Sequence, residues 1–177
     1  MQEKYSHTRI YLLGFMGSGK STLGKRLSRS MGYNFVDTDQ VFEDRYNIEI
    51  PHYFKLYGEA QFREIEQTIL QETFTLKNTI ISTGGGTPCY SDNLSEMKKH
   101  GLCIYLKLPA ATLHQRLLHT TRLRPLIENL DDTKLLDYIH KNLIVRETYY
   151  NKANLVVSGV NLRAKDLEAI LSHYKSL

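Results

Sequence analysis

The stretch RIYLLGFMGSGKSTLGKRL, residues 9–27, runs from an apolar segment through a glycine-rich turn into a helical repeat. Its apolar part is short and nearly unbroken, as in a strand buried on both faces of a parallel sheet. Beyond the turn, Leu23, Leu27 and Met31 recur at i, i+4 and i+8, while Lys25, Arg26 and Arg29 fall on other faces. Gly32 stands where that helix should stop. A strand, a tight turn and a helix in this order predict the first unit of an α/β fold.

The alternation continues outward. Apolar runs at 34–37, 79–83, 102–108 and 154–158 read as further strands. Between them, Phe62, Ile65, Ile69 and Phe74 make one apolar stripe. SDNLSEMKKHG (91–101), residues 131–150 and NLRAKDLEAILSHY (161–174) also carry helical patterns, and Pro51 is placed to start a helix in its first turn. Strands alternating with helices imply a doubly wound α/β sheet. Ligands of such sheets sit on the loops beyond the carboxyl ends of the strands. Three loops qualify: GFMGSGKS (14–21), DTDQ (37–40) and TGGGTP (83–88).

Composition narrows the function. The chain has 177 residues, 41% apolar and 24% charged, which suits one soluble domain. Its net charge of +4 is spread along the chain. No basic stripe interleaved with aromatics is present, so small anions are expected and nucleic acid is not. The two cysteines, Cys89 and Cys103, have no CxxC spacing, and the seven histidines form no HxH or HExxH pattern. Neither zinc nor a disulfide framework is expected, and reduced thiols fit a cytoplasmic protein. The apolar stretch IYLLGFMG is too short and glycine-rich for a signal peptide or a membrane span.

The first loop matches G-x-x-x-x-G-K-[ST] at Gly14–Ser21. Glycines let backbone N–H groups curl around phosphate oxygens, and the following helix adds its positive end. Lys20 is placed for β- and γ-phosphates and the Ser21 hydroxyl for Mg²⁺. A guanine-reading N-K-x-D is missing, since Asn151-Lys152-Ala153-Asn154 lacks the aspartate and precedes a strand. A motor ATPase usually ends a strand in an acidic metal-binding residue, whereas residues 79–83 lead into Gly84-Gly85-Gly86. A small-molecule kinase remains.

Asp37 and Asp39 alternate in an extended segment, so both can face one site, where a cation relieves their repulsion. Asp37 is assigned to Mg²⁺ through water, and Asp39 to the acceptor hydroxyl as its base. A structural role competes: Thr38 or Asp39 can cap the helix that follows. Structural roles compete elsewhere too. Arg63 can pair with Glu59 or Glu66, Arg146 with Glu147, and the triple glycine can be a tight turn.

GSGKST, FVDTD, the FRxxE of Phe62–Glu66, GGG and the RPL of Arg124–Leu126, in this order, resemble shikimate kinase over almost the whole chain. The resemblance implies a three-layer P-loop kinase fold, a five-stranded parallel sheet flanked by helices with a lid, in a single domain spanning 1–177. It implies ATP and Mg²⁺ as cofactors and shikimate as the acceptor phosphorylated at its 3-hydroxyl, with no nucleic-acid or membrane partner and a monomeric enzyme. Carried over by position, Gly17, Ser18, Gly19, Lys20, Ser21 and Thr22 cradle the phosphates, and Ser21 and Asp37 serve the metal. Asp39, Arg63, Gly85 and Arg146 contact shikimate. Arg124 sits in a lid at about 119–131. Arg163 is the adenine-side contact, with Arg116 as its rival. A gluconate kinase and a non-catalytic nucleotide-binding module are the competing functions.

Overall fold

The computed structural model describes residues 9–119 and 130–174. Five strands form one parallel sheet: β1 (Arg9–Leu13), β2 (Asn34–Asp37), β3 (Thr79–Ser82), β4 (Leu102–Lys107) and β5 (Leu155–Ser158), in the order β2-β3-β1-β4-β5. All five fall where the apolar runs predict them.

Alternation explains the burial of both faces. Ile10 and Leu12 of β1, with Leu102, Ile104 and Leu106 of β4, pack on Leu23 and Leu27 of α1 (Lys20–Met31) and on Leu167 and Leu171 of α7 (Ala164–His173). Tyr11, Leu13, Ile81 and Cys103 point the other way. They meet Leu70 of α3 (Ile50–Glu72) and Leu94 and Met97 of α4 (Asn93–His100). Each such side chain, fully buried, contributes about 1.5–3 kcal/mol of transfer free energy. Helix α1 ends at Gly32, whose amide donates to the Ser28 carbonyl in the left-handed cap expected there. Three helices complete the described fold: α2 (Thr38–Tyr46), α5 (Ala110–Leu118) and α6 (Asp132–Tyr150). Among the described residues no helix is long and apolar enough to cross a membrane.

Helix α3 begins at Ile50 with Pro51 in its first turn, as that proline's position predicts, and the apolar stripe from Phe62 onward falls in its second half. The sequence does not show that the two pieces join through a kink. Gly58 then takes φ 83° and ψ 166° and breaks the axis. That conformation is essentially restricted to glycine. The kink aims two helical pieces at one place: the first carries Phe54 and Lys55, the second Phe62, Arg63 and Glu66. Nothing lies within 4 Å of where a Gly58 side chain would project, so the cost of adding one is conformational alone. Gly58→Ala is expected to lower stability by about 1–3 kcal/mol in urea unfolding. A change below a few tenths would show that the kink carries no strain.

Candidate active site

The loops after β1, β2 and β3 open onto one cavity of about 1000 Å³. Its phosphate side is the turn between β1 and α1. Gly19 adopts φ 93°, which lets the chain enter α1 with its first amides turned into the loop. The Lys20 ammonium donates to the carbonyls of Gly14 at 2.8 Å and Phe15 at 3.1 Å, so it lies within the loop. The Ser18 hydroxyl is buried and has no hydrogen-bond partner among the described residues. Arg116 of α5 lines the cavity and donates to the Ser18 carbonyl at 3.2 Å. Arg163 stands outside the cavity lining at the start of α7, where it grips Asp166 at 2.8 Å. Arg124 lies outside the described residues.

The two aspartates divide as follows. One Asp37 oxygen accepts from the Ser21 hydroxyl at 2.5 Å and the other from the Asp39 amide at 3.2 Å. Asp37 is therefore the N-cap of α2, in place of the expected Thr38 or Asp39. The Thr38 hydroxyl accepts instead from the Gly84 amide at 3.2 Å. Helix capping thus leaves the Asp39 carboxylate out, and that carboxylate lies against Gly84.

The triple glycine is explained by what crowds it. A Cβ on Gly84 would come within 2.8 Å of Asp39 Oδ1 and would also strike Glu66 Oε1. One on Gly85 would come within 3.1 Å of Arg146 Nη1, and one on Gly86 within 2.6 Å of Arg63 Nη1. Each glycine admits a different charged side chain to the backbone. None of the three has a left-handed φ, so close approach is what requires glycine here.

Arg63 makes both of the ion pairs weighed for it, to Glu66 at 2.7 Å and Glu59 at 2.8 Å. Glu66 is only 4% exposed, and its other oxygen accepts from the Thr87 hydroxyl at 2.6 Å. Arg146 does not pair with Glu147, which takes Lys107 and the Tyr105 hydroxyl. The Arg146 guanidinium lies over the Phe15 ring, 5.1 Å from its centroid. Tyr150, one turn on, donates to the Gly85 carbonyl. Burial pushes the Cys89 thiol up to about 11, against the opposing pull of Arg146 and Arg63. Arg146 and Arg63 line the same cavity and approach the adjacent glycines Gly85 and Gly86, so the two guanidiniums converge. Phe54 and Phe62, in edge contact at 4.7 Å, wall the same side. The sequence alone assigns none of Phe54, Phe62, Thr87 and Lys55 to the site.

The arrangement offers an anion nest, a hydroxyl–carboxylate pair for a hard cation, and two arginines facing a carboxylate across a glycine corridor. Among the described residues no cluster of three or more His, Cys, Asp or Glu is set to hold a metal alone. Mg²⁺ suits the Ser21–Asp37 pair, because it keeps several waters and shares its coordination with phosphates.

Comparison with known proteins points to one family. The shikimate kinase family model matches residues 16–175. A shikimate kinase of Phocaeicola vulgatus is 39% identical over 158 residues, 89% of this chain and 90% of the relative. The crystal structure of shikimate kinase from Bacteroides thetaiotaomicron superposes with a TM-score of 0.89 at 33% identity, covering 94% of this chain and 99% of the other. Shikimate kinase from Acinetobacter baumannii in complex with shikimate gives 0.82 at 30% identity, covering 97% of each.

Glu66→Ala leaves the Thr87 hydroxyl without its acceptor and the Arg63 guanidinium with Glu59 alone. It is expected to cost about 2–3 kcal/mol in urea unfolding, against about 1 kcal/mol for Thr87→Val. Equal small losses would show that Glu66 holds neither.

Proposed function

The chain belongs to the shikimate kinase family, and from that premise we propose a role for each side chain of the cavity. The enzyme is a small-molecule kinase that uses ATP to phosphorylate the 3-hydroxyl of shikimate, in aromatic amino-acid biosynthesis. The hydroxyl oxygen bonds to the γ-phosphorus, the bond from that phosphorus to the bridging oxygen breaks, and ADP leaves.

The backbone of Gly17, Ser18 and Gly19 receives the phosphates, with Thr22 beside them. Lys20 exchanges its carbonyl contacts for β- and γ-oxygens. Ser21 and Asp37 hold Mg²⁺, which supplies charge neutralisation at the transferring phosphate when bound. Asp39 orients the 3-hydroxyl and accepts its proton. Arg63, Arg146 and the Gly85 backbone hold the acceptor carboxylate, because guanidinium forks match carboxylate geometry. Arg124 closes over the phosphates from the lid, where excluding water limits ATP hydrolysis. Arg116 takes the adenine-side role ahead of Arg163, since it alone of the two lines the cavity. The enzyme is proposed to act as a monomer in the cytoplasm.

One observation carries this reading: Asp37 satisfies both the helix start and Ser21, so Asp39 is left at the glycine corridor with two converging arginines. ADP release measured with ATP and Mg²⁺ tests it, in the presence of shikimate, of gluconate, and of no acceptor. Stimulation by shikimate alone, abolished by EDTA, is expected. Stimulation by gluconate alone indicates the other kinase, and none by either indicates a non-catalytic module. Asp39→Asn is expected to lower kcat by about 10²–10⁴-fold, and turnover near the wild-type rate would exclude it as the base. Arg124→Ala is expected to cost about 10²–10³-fold. Gly86→Ala is expected to raise the KM for shikimate and leave the KM for ATP unchanged, with the fold intact.

A further inference from the structure

Lys55 lines the cavity next to Phe54, on the half of α3 that precedes the Gly58 kink. The lining residues of this half, Ile50, Pro51, Phe54 and Lys55, fall at i, i+1, i+4 and i+5. That spacing is one helix face, so the lysine stem leaves α3 on the cavity side.

The other cations of the cavity walls are already engaged. Lys20 sits on two carbonyls, Arg116 on the Ser18 carbonyl, and Arg146 over a ring. Arg63 is shared between Glu59 and Glu66, and one guanidinium between two carboxylates leaves that cluster net negative. Glu43 and Glu49 line the same cavity, and Glu43 accepts from the Ile50 amide. Lys55, by contrast, makes no hydrogen bond, ion pair or ring contact among the described residues. An acceptor that carries a carboxylate therefore approaches a cavity lined by as many acidic as basic side chains, in which the basic ones other than Lys55 are already engaged. An ammonium on a four-carbon stem adds attraction for that carboxylate without a fixed geometry.

We infer that Lys55 is an acceptor-binding residue, a third cation that draws the acceptor's carboxylate into the site beside Arg63 and Arg146. The inference rests on the functional reading above. It makes Lys55 a determinant of preference for anionic over neutral hydroxylated acceptors, with no part in the phosphoryl transfer itself.

Steady-state kinetics of Lys55→Gln, Lys55→Glu and Lys55→Arg test it, with shikimate varied at saturating ATP and ATP varied at saturating shikimate. The side chain is exposed, so the variants should keep the wild-type thermal midpoint. Lys55→Gln should raise the KM for shikimate about threefold to tenfold, Lys55→Glu more, and Lys55→Arg should restore it. The kcat and the KM for ATP should stay within about twofold. A shikimate KM unchanged in both Lys55→Gln and Lys55→Glu overturns the inference, as does an equal rise in the KM for ATP. Wild-type ADP release sets the control: indifference to shikimate there rejects the functional reading itself, whereas stimulated wild type with unaffected variants rejects Lys55 alone.

Discussion

The site depends on a steric constraint: three successive backbone positions just after β3 leave room for charged side-chain tips, most tightly at Gly84 and Gly86. Gly84 faces the Asp39 and Glu66 carboxylates, Gly85 the Arg146 guanidinium and Gly86 the Arg63 guanidinium. These side chains come from α2, α3 and α6, elements far apart in sequence. They meet because β3 lies between β2 and β1, beside the phosphate loop. A methyl group at any of the three points would meet a charged tip rather than core, so the sheet would survive while the site lost its alignment.

Asp37 links the two halves of the cavity. Its two oxygens serve different masters, the Ser21 hydroxyl at the phosphate loop and the amide that opens α2. Burying a carboxylate is costly unless it is hydrogen-bonded, and here both oxygens are. Because Asp37 caps α2, the register that puts Asp39 at Gly84 is coupled to the anion nest. Glu66 does the equivalent on the acceptor side, fixing Arg63 with one oxygen and Thr87 with the other. A buried carboxylate that orients a guanidinium sets direction as well as charge.

Much of this was legible in the residues. Strands buried on both faces give continuous apolar runs, and all five were located from those runs. The phosphate loop is local in sequence, so its spacing is visible directly. The paired aspartates also showed, but which of them caps α2 depends on the strand's exit angle, and Asp37 took the place expected for Thr38 or Asp39. Pro51 marks the start of α3, but the kink at Gly58 is not legible, because three aromatics before it blur the 3.6-residue period. Thr87 and Lys55 were passed over because their meaning lies in partners and surroundings from other segments. Arg163 matched a family position in the sequence, yet its side chain is spent on Asp166 at a helix start, outside the cavity lining.

A crystal structure with shikimate, Mg²⁺ and a non-hydrolysable ATP analogue bound together tests the central claim most directly. The account predicts the shikimate carboxylate between Arg63 and Arg146, its 3-hydroxyl within hydrogen-bond reach of Asp39, and the metal beside Ser21 and Asp37. A ternary complex in which the Asp39 carboxylate points away from the acceptor, or in which the ring carboxylate meets neither arginine, would contradict it.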